Sequence, residues 1–282
     1  MIQSICVCGA GTMGSGIAQA AAQSGIYTLL FDLNTDVLQK AETSINSNLD
    51  SLVAKQKITE EQRSAVKANL QFINDINFCI ADVIIEAIIE KPEAKIALFN
   101  QLAEINHGDT IFASNTSSLS ISLLQKSIQQ PQRVAGLHFF NPATIMKLVE
   151  VVRGEQTSEE VINTLVALTK QLNKVPVICK DSPGFIVNRV ARPYYIEALK
   201  LVEDGVADFA TVDALLEASG FKMGPFKLMD LIGNDINYAV SCSVYEQLGK
   251  PERLKPSPIQ QEKVESNKLG RKTGEGYYKY YG

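Results

Sequence analysis

Apolar positions along the first two-thirds of the chain follow two alternating rhythms. Short apolar runs at residues 2–8, 26–31, 70–73, 83–86, 110–113 and 134–138 read as strands. Between them lie longer stretches with helical periodicity. One covers 36–53. Another follows Thr59, whose spacing to Gln62 suits a capping box, and a third opens with Pro92 at its first position and closes near Gly108. Residues 146–152 alternate as a strand, and 175–179 read as the last one. Such alternation predicts an α/β domain with a doubly wound, mostly parallel sheet.

At Asp181-Ser182-Pro183-Gly184 the rhythm changes. Ser182 suits a helix cap and Pro183 a first helical position, and helical patterns then run to about Lys268, before a short tail at 274–281. The expected organisation is a sheet domain over 1–182 and an all-helical domain over 183–282. Pro193 falls inside the first helical pattern and predicts a kink or break near Arg192.

The first strand–helix–strand unit carries Gly9-Ala10-Gly11-Thr12-Met13-Gly14, then small residues to Gln23, then a strand ending at Asp32. This is a dinucleotide-binding fingerprint in context. Gly9 permits a tight turn, Gly11 admits the pyrophosphate to the backbone, and Gly14 lets the helix approach the sheet. A helix start here offers free N–H groups to the phosphates. Asp32 is placed to bind both hydroxyls of the adenosine ribose, and Leu33-Asn34-Thr35 supplies no Arg for a 2′-phosphate, so NAD is expected rather than NADP.

Composition narrows the classes. The 282 residues carry a net charge of −4, which offers no basic surface for nucleic acid. No apolar run approaches the roughly 20 residues of a membrane span. Five cysteines at 6, 8, 79, 179 and 242 show no metal-ligand spacing and read as small hydrophobes in a reducing compartment, which predicts a cytoplasmic location and no metal.

Candidate chemistry concentrates at strand ends. The chain has two histidines. His107 sits at a helix C-terminus, where its interaction with the dipole accounts for it. His138 ends an apolar strand, at the edge where such sheets bind ligands, and is either a core residue or a base. Glu150 falls on the apolar face of 146–152, so it needs a cationic or donor partner. That partner is His138, fixing its tautomer and raising its basicity, or an Arg in a structural bridge. Ser114-Asn115-Thr116-Ser117-Ser118 follows a strand directly and suits either a polar ligand or a helix cap. Asn188, about two turns into the helix expected from Pro183, needs a ligand or a backbone partner for its amide. Lys95 lies in a helix's first turn, against the dipole, and calls for an anion such as Glu90 or a cofactor.

The chain resembles the L-3-hydroxyacyl-CoA dehydrogenase family, including bacterial 3-hydroxybutyryl-CoA dehydrogenases. The resemblance rests on G-A-G-T-M-G from Gly9, A-S-N-T-S-S from Ala113, G-L-H-F-F-N-P from Gly136, K-L-V-E-V-V from Lys147, D-S-P-G-F-I-V-N-R from Asp181, G-P-F-K-L-M-D from Gly224 and R-K-T-G-E-G-Y-Y-K-Y from Arg271. It implies NAD as cofactor and an acyl-CoA thioester as substrate, within fatty-acid or butanoate metabolism. It implies His138 as base, oriented by Glu150, with Ser117 and Asn188 on the reacting oxygen and thioester region. It sets Glu90, Lys95, Asn115 and Ser117 on the cofactor side, and Lys55 and Lys272 near nucleotide and CoA phosphates. It also implies a homodimer through the helical domain. Thr144 stands where many relatives have Pro, and Asn48 where some have Ser near CoA. The alternatives are a hydroxy-acid or sugar-acid dehydrogenase that uses no CoA ester, and a non-catalytic NAD-binding protein.

Overall fold

The computed structural model describes residues 2–280; Met1, Tyr281 and Gly282, which the expected domains and tail included, lie outside the described residues. The chain divides into two compact units, one up to Asp181 and one from Ser182.

The first unit is built on an eight-stranded sheet. Its strands are β1 (Ser4–Cys8), β2 (Tyr27–Phe31), β3 (Leu70–Ile73), β4 (Val83–Glu86), β5 (Ile111–Ser114), β6 (Val134–Phe139), β7 (Leu148–Arg153) and β8 (Val175–Lys180), in the order β3-β2-β1-β4-β5-β6-β7-β8. All neighbours are parallel except β6 and β7. Strand order reverses between β1 and β4, the place where such sheets open a crevice beyond their carboxyl ends. The helices of this unit are α1 (Thr12–Gln23), α2 (Thr35–Ala54), α3 (Glu60–Ala68), α4 (Pro92–Ile105), α5 (Ile121–Gln125) and α6 (Glu159–Gln171). Their starts are chemically marked. Asn34 caps α2, Ser120 caps α5 and Ser158 caps α6, and Thr59 with Gln62 closes the expected capping box on α3.

The core packs Ile5, Val7, Leu30, Ile85, Ala113, Leu137 and Val151 against Ile17, Ala18 and Ala21 of α1. Each large aliphatic side chain buried there stabilises the fold by about 1.5–3 kcal/mol. Cys6, Cys8 and Cys79 are buried too, and the fold draws their sulfurs within 4.8 Å of one another, a convergence that their sequence spacing hid. Among the described residues no helix is long and apolar enough to cross a membrane.

The second unit comprises α7 (Val187–Glu203), α8 (Phe209–Ala218), α9 (Pro225–Ile232), α10 (Asn234–Gln247) and α11 (Pro258–Glu265). Two expectations are corrected here. No helix starts at Pro183: Gly184 and Phe185 take φ values of +72° and +49°, so the chain turns, with Phe185 N–H donating to Ser182 O, before α7 begins. Nor does Pro193 break α7, which runs through it, and in that turn the Arg192 side chain donates to Asn188 O at 2.9 Å. The tail docks on Asp230, which accepts from Tyr277 N, Tyr278 N and Tyr280 Oη, each at 3.0 Å. Gly276 is needed there, since a Cβ would lie 2.0 Å from Asp230 Oδ1.

Candidate active site

The glycine loop is a cradle with little tolerance. Gly9 leaves β1 at φ +105°, and a Cβ on it would lie 2.6 Å from Ala87 O. A Cβ on Gly14 would lie 1.7 Å from Gly9 O, so α1 packs onto the loop closer than any side chain allows. Gly11, by contrast, faces open space, and it starts α1 without a side-chain cap, so the N–H groups of Thr12 and Met13 lie in a helix first turn that no cap side chain covers. Asp32 follows β2, and its carboxylate accepts from Ala10 N and Asn34 N, both at 2.9 Å. A cavity of about 390 Å³ opens beside the loop, lined in part by Gly11, Thr12, Lys40, Asn48, Pro142 and Thr144. Uncapped N–H groups, a loop that excludes side chains and a carboxylate at the end of β2 together fit NAD.

His138 lies near the end of β6, directly opposite Glu150 of β7. Its Nδ1 is 2.7 Å from Glu150 Oε2, with His138 6% and Glu150 1% exposed. The partner is therefore the histidine rather than an Arg. A carboxylate on Nδ1 makes it the donor and leaves Nε2 as the acceptor nitrogen. The Phe140 ring packs at 4.5 Å from the imidazole. Asn115 Oδ1 accepts from Phe139 N at 2.9 Å, so the residue after β5 holds the backbone next to His138.

A second polar cluster ties the ends of β4 and β5. Lys95 Nζ, 1% exposed, lies 2.5 Å from Glu86 Oε1 and 3.0 Å from Glu90 Oε2. Glu86, fully buried, also accepts from Ser114 Oγ at 2.6 Å and Ile88 N at 2.7 Å. Glu90 accepts from Thr116 Oγ1, from Ser118 Oγ at 3.0 Å and from Ser117 N at 3.2 Å. Burial pushes the Glu86 carboxyl up, more than Lys95 and its other donors pull it down. Burial also raises Glu90, but there Lys95, Thr116 and Ser118 prevail and hold the carboxyl below its ordinary value.

Several expected placements change. Lys95 does have Glu90 as a partner, and it is buried on Glu86 as well. Of the run 114–118, Ser114 ends β5 and Thr116 braces Glu90 and caps its own turn through Ser118 N and Leu119 N. Asn188 is the second residue of α7, rather than two turns in, because the helix starts late. Lys272 pairs with both oxygens of Asp235, at 2.6 and 2.7 Å, within the helical unit. Lys55 is an exposed residue at the C-cap of α2. Glu86 was missed, although it ends an all-apolar strand just as Asp32 follows β2.

A dinucleotide cradle and a buried carboxylate–imidazole pair thus share the doubly wound sheet of the first unit, the combination of an NAD-binding fold. Residues 4–182 match the family described as 3-hydroxyacyl-CoA dehydrogenase, NAD binding domain, and residues 184–280 its C-terminal domain. The chain belongs to the 3-hydroxyacyl-CoA dehydrogenase family. It is 47% identical over 279 residues to a 3-hydroxyadipyl-CoA dehydrogenase of Escherichia coli, covering 98% of this chain and 59% of that protein. A solved 3-hydroxybutyryl-CoA dehydrogenase from Escherichia coli K12 superposes with a TM-score of 0.96 at 47% identity, over 99% of this chain and 60% of that one. An (S)-3-hydroxybutyryl-CoA dehydrogenase from Ralstonia eutropha gives a TM-score of 0.95 at 36% identity, over the whole of both chains. The chain thus spans about three-fifths of the two Escherichia coli proteins and all of the Ralstonia one.

Proposed function

We propose that this chain catalyses the reversible, NAD-dependent oxidation of an L-3-hydroxyacyl-CoA to the 3-ketoacyl-CoA. The observation that carries the reading is the His138–Glu150 pair, buried at 2.7 Å in a sheet whose first turn is a dinucleotide cradle. NAD, when bound, supplies the hydride acceptor. The residues handle the proton. With Nδ1 held by Glu150, His138 Nε2 takes the proton of the 3-hydroxyl as C3 loses hydride and its oxygen becomes a carbonyl. The charge that gathers on the imidazole lies against a carboxylate and needs no rearrangement of the site.

Ser117 and Asn188 are assigned to the reacting oxygen and thioester region, and Asp32 to the adenosine ribose. Glu90, braced by Lys95 and Thr116, sets the loop that carries Ser117. Lys55 and Asn48 are assigned to CoA. Exposed apolar side chains of the helical unit, including Val190, Val206 and Leu215, support a homodimer through that unit. Five free cysteines support a reducing, cytoplasmic setting.

The test is NADH oxidation with acetoacetyl-CoA, with free acetoacetate alongside. Turnover of the thioester, its loss in His138→Gln and retained NADH binding by that variant are expected. Equal turnover of free acetoacetate, or full activity of His138→Gln, would overturn the assignment.

A further inference from the structure

One buried cation of the sheet unit takes no part in the chemistry assigned so far. Lys174 lies in the turn between α6 and β8 and is 8% exposed. Its Nζ donates to two backbone carbonyls of the segment that joins β6 to β7, Ala143 O at 2.5 Å and Met146 O at 2.8 Å. Among the described residues no carboxylate pairs with it. Burial, with Lys147 nearby, holds the ammonium below the ordinary lysine value.

The two segments are clasped in both directions. Val175 N donates to Lys147 O at 2.8 Å, and Lys147 Nζ donates to Asn173 O at 3.3 Å. The joining segment is also closed on itself, since Ile145 N and Met146 N both donate to Pro142 O, at 3.0 and 2.9 Å. A buried ammonium without a counter-charge is unfavourable, and here it is offset by donors given to two loop carbonyls.

The clasped segment forms a wall. Asn141, Pro142, Ala143 and Thr144 line the cavity of about 390 Å³ beside the glycine loop, and so does Asn48 of α2. Helix α1 meets the segment at Gly16, where a Cβ would lie 3.3 Å from that of Ala143. The segment leaves β6, which carries His138, and enters β7, which carries Glu150. Lys174 thus holds the stretch that links the base to the cavity without lining the cavity itself. The cofactor cradle is fixed by other bonds, from Gly9 N to Phe31 O and from Ala10 N to Asp32.

We propose that Lys174 is a positioning residue for the thioester substrate: it fixes the 141–144 wall along which the CoA arm lies, and touches neither substrate nor cofactor. The proposal rests on the functional reading above, through Asn48, which is assigned there to CoA and lines the same cavity.

The test is steady-state kinetics of Lys174→Met, which keeps the length of the side chain and removes its donors. KM for acetoacetyl-CoA is expected to rise about tenfold, the scale of one hydrogen bond, with kcat and the Kd for NADH within about twofold of wild type. Lys174→Arg, which keeps charge and donors, recovers part of the rise. Damage to the fold alone would instead lower kcat with the lost active fraction and leave KM unchanged. An unchanged KM in folded Lys174→Met overturns the proposal, and so does a loss confined to NADH affinity. Hydrogen exchange on wild type covers the case in which the variants do not fold. Acetoacetyl-CoA added without NADH should slow exchange of the 143–147 amides, and unchanged exchange there overturns the proposal. Failure of wild type to turn over acetoacetyl-CoA overturns the underlying dehydrogenase reading, whereas good wild-type turnover with an unchanged KM in the variant overturns the Lys174 assignment alone.

Discussion

His138 and Glu150 face each other across the one antiparallel pair of the sheet, with Nδ1 and Oε2 2.7 Å apart. The reversal of β7 is what brings them together. Twelve residues apart in sequence, they become directly opposed because the chain turns back after the strand that ends the parallel series. Two paired strands hold the two side chains, so the base proposed above is positioned before substrate arrives.

Glu150→Gln tests this positioning. The amide can still hold Nδ1 but no longer offers a charge to the forming imidazolium. We expect kcat to fall by about 10²–10⁴-fold with KM little changed, as for loss of a group that acts in the transition state. A parallel rise in KM with kcat preserved would place Glu150 in substrate binding instead.

Lys95 tests the second cluster. Lys95→Met leaves Glu86 fully buried without its cation and is expected to destabilise the fold by about 3–5 kcal/mol in urea titration. Adding Glu86→Gln removes the stranded charge, so the double variant should regain part of the loss. Strict additivity of the two changes would show that they do not act as a pair.

The neighbouring Glu90 gives a pH signature. Its carboxyl is held below the ordinary value, so folding gains from its ionised form. That gain is complete above the unfolded carboxylate value of about 4.3 and is lost as pH falls through the folded one. Wild type should therefore melt above Glu90→Gln at pH 6–8, with the gap closing below about pH 4.5. A gap independent of pH would assign the difference to packing.

Much of this was legible from residue order. The glycine loop, Asp32 and the capping box announce themselves because local backbone geometry dictates them. The Glu150–His138 pair was reachable because strand alternation puts a carboxylate on an apolar face, and that demands a partner. The helix expected at Pro183 was not: Ser-Pro is a good helix start, but the left-handed Gly184 and Phe185 answer to packing that no local signal reports. Long-range polar partners were equally hidden. Glu86 meets Lys95 and Ser114, and Arg192 meets Asn237 and Ser241, only once strands pair and helices dock.

Asp32 allows charge to be separated from shape. Its carboxylate accepts from Ala10 N and Asn34 N, so replacing it with Ala would disturb the turn as well as the proposed ribose contact. Asp32→Asn keeps an oxygen acceptor and removes the negative charge that disfavours a 2′-phosphate. The ratio of kcat/KM with NADPH to that with NADH should rise about tenfold, equivalent to roughly 1.4 kcal/mol of repulsion removed. If the ratio stays fixed while the protein melts at the wild-type temperature, charge at this position does not select the cofactor. Selection would then lie in the shape of the pocket beyond β2.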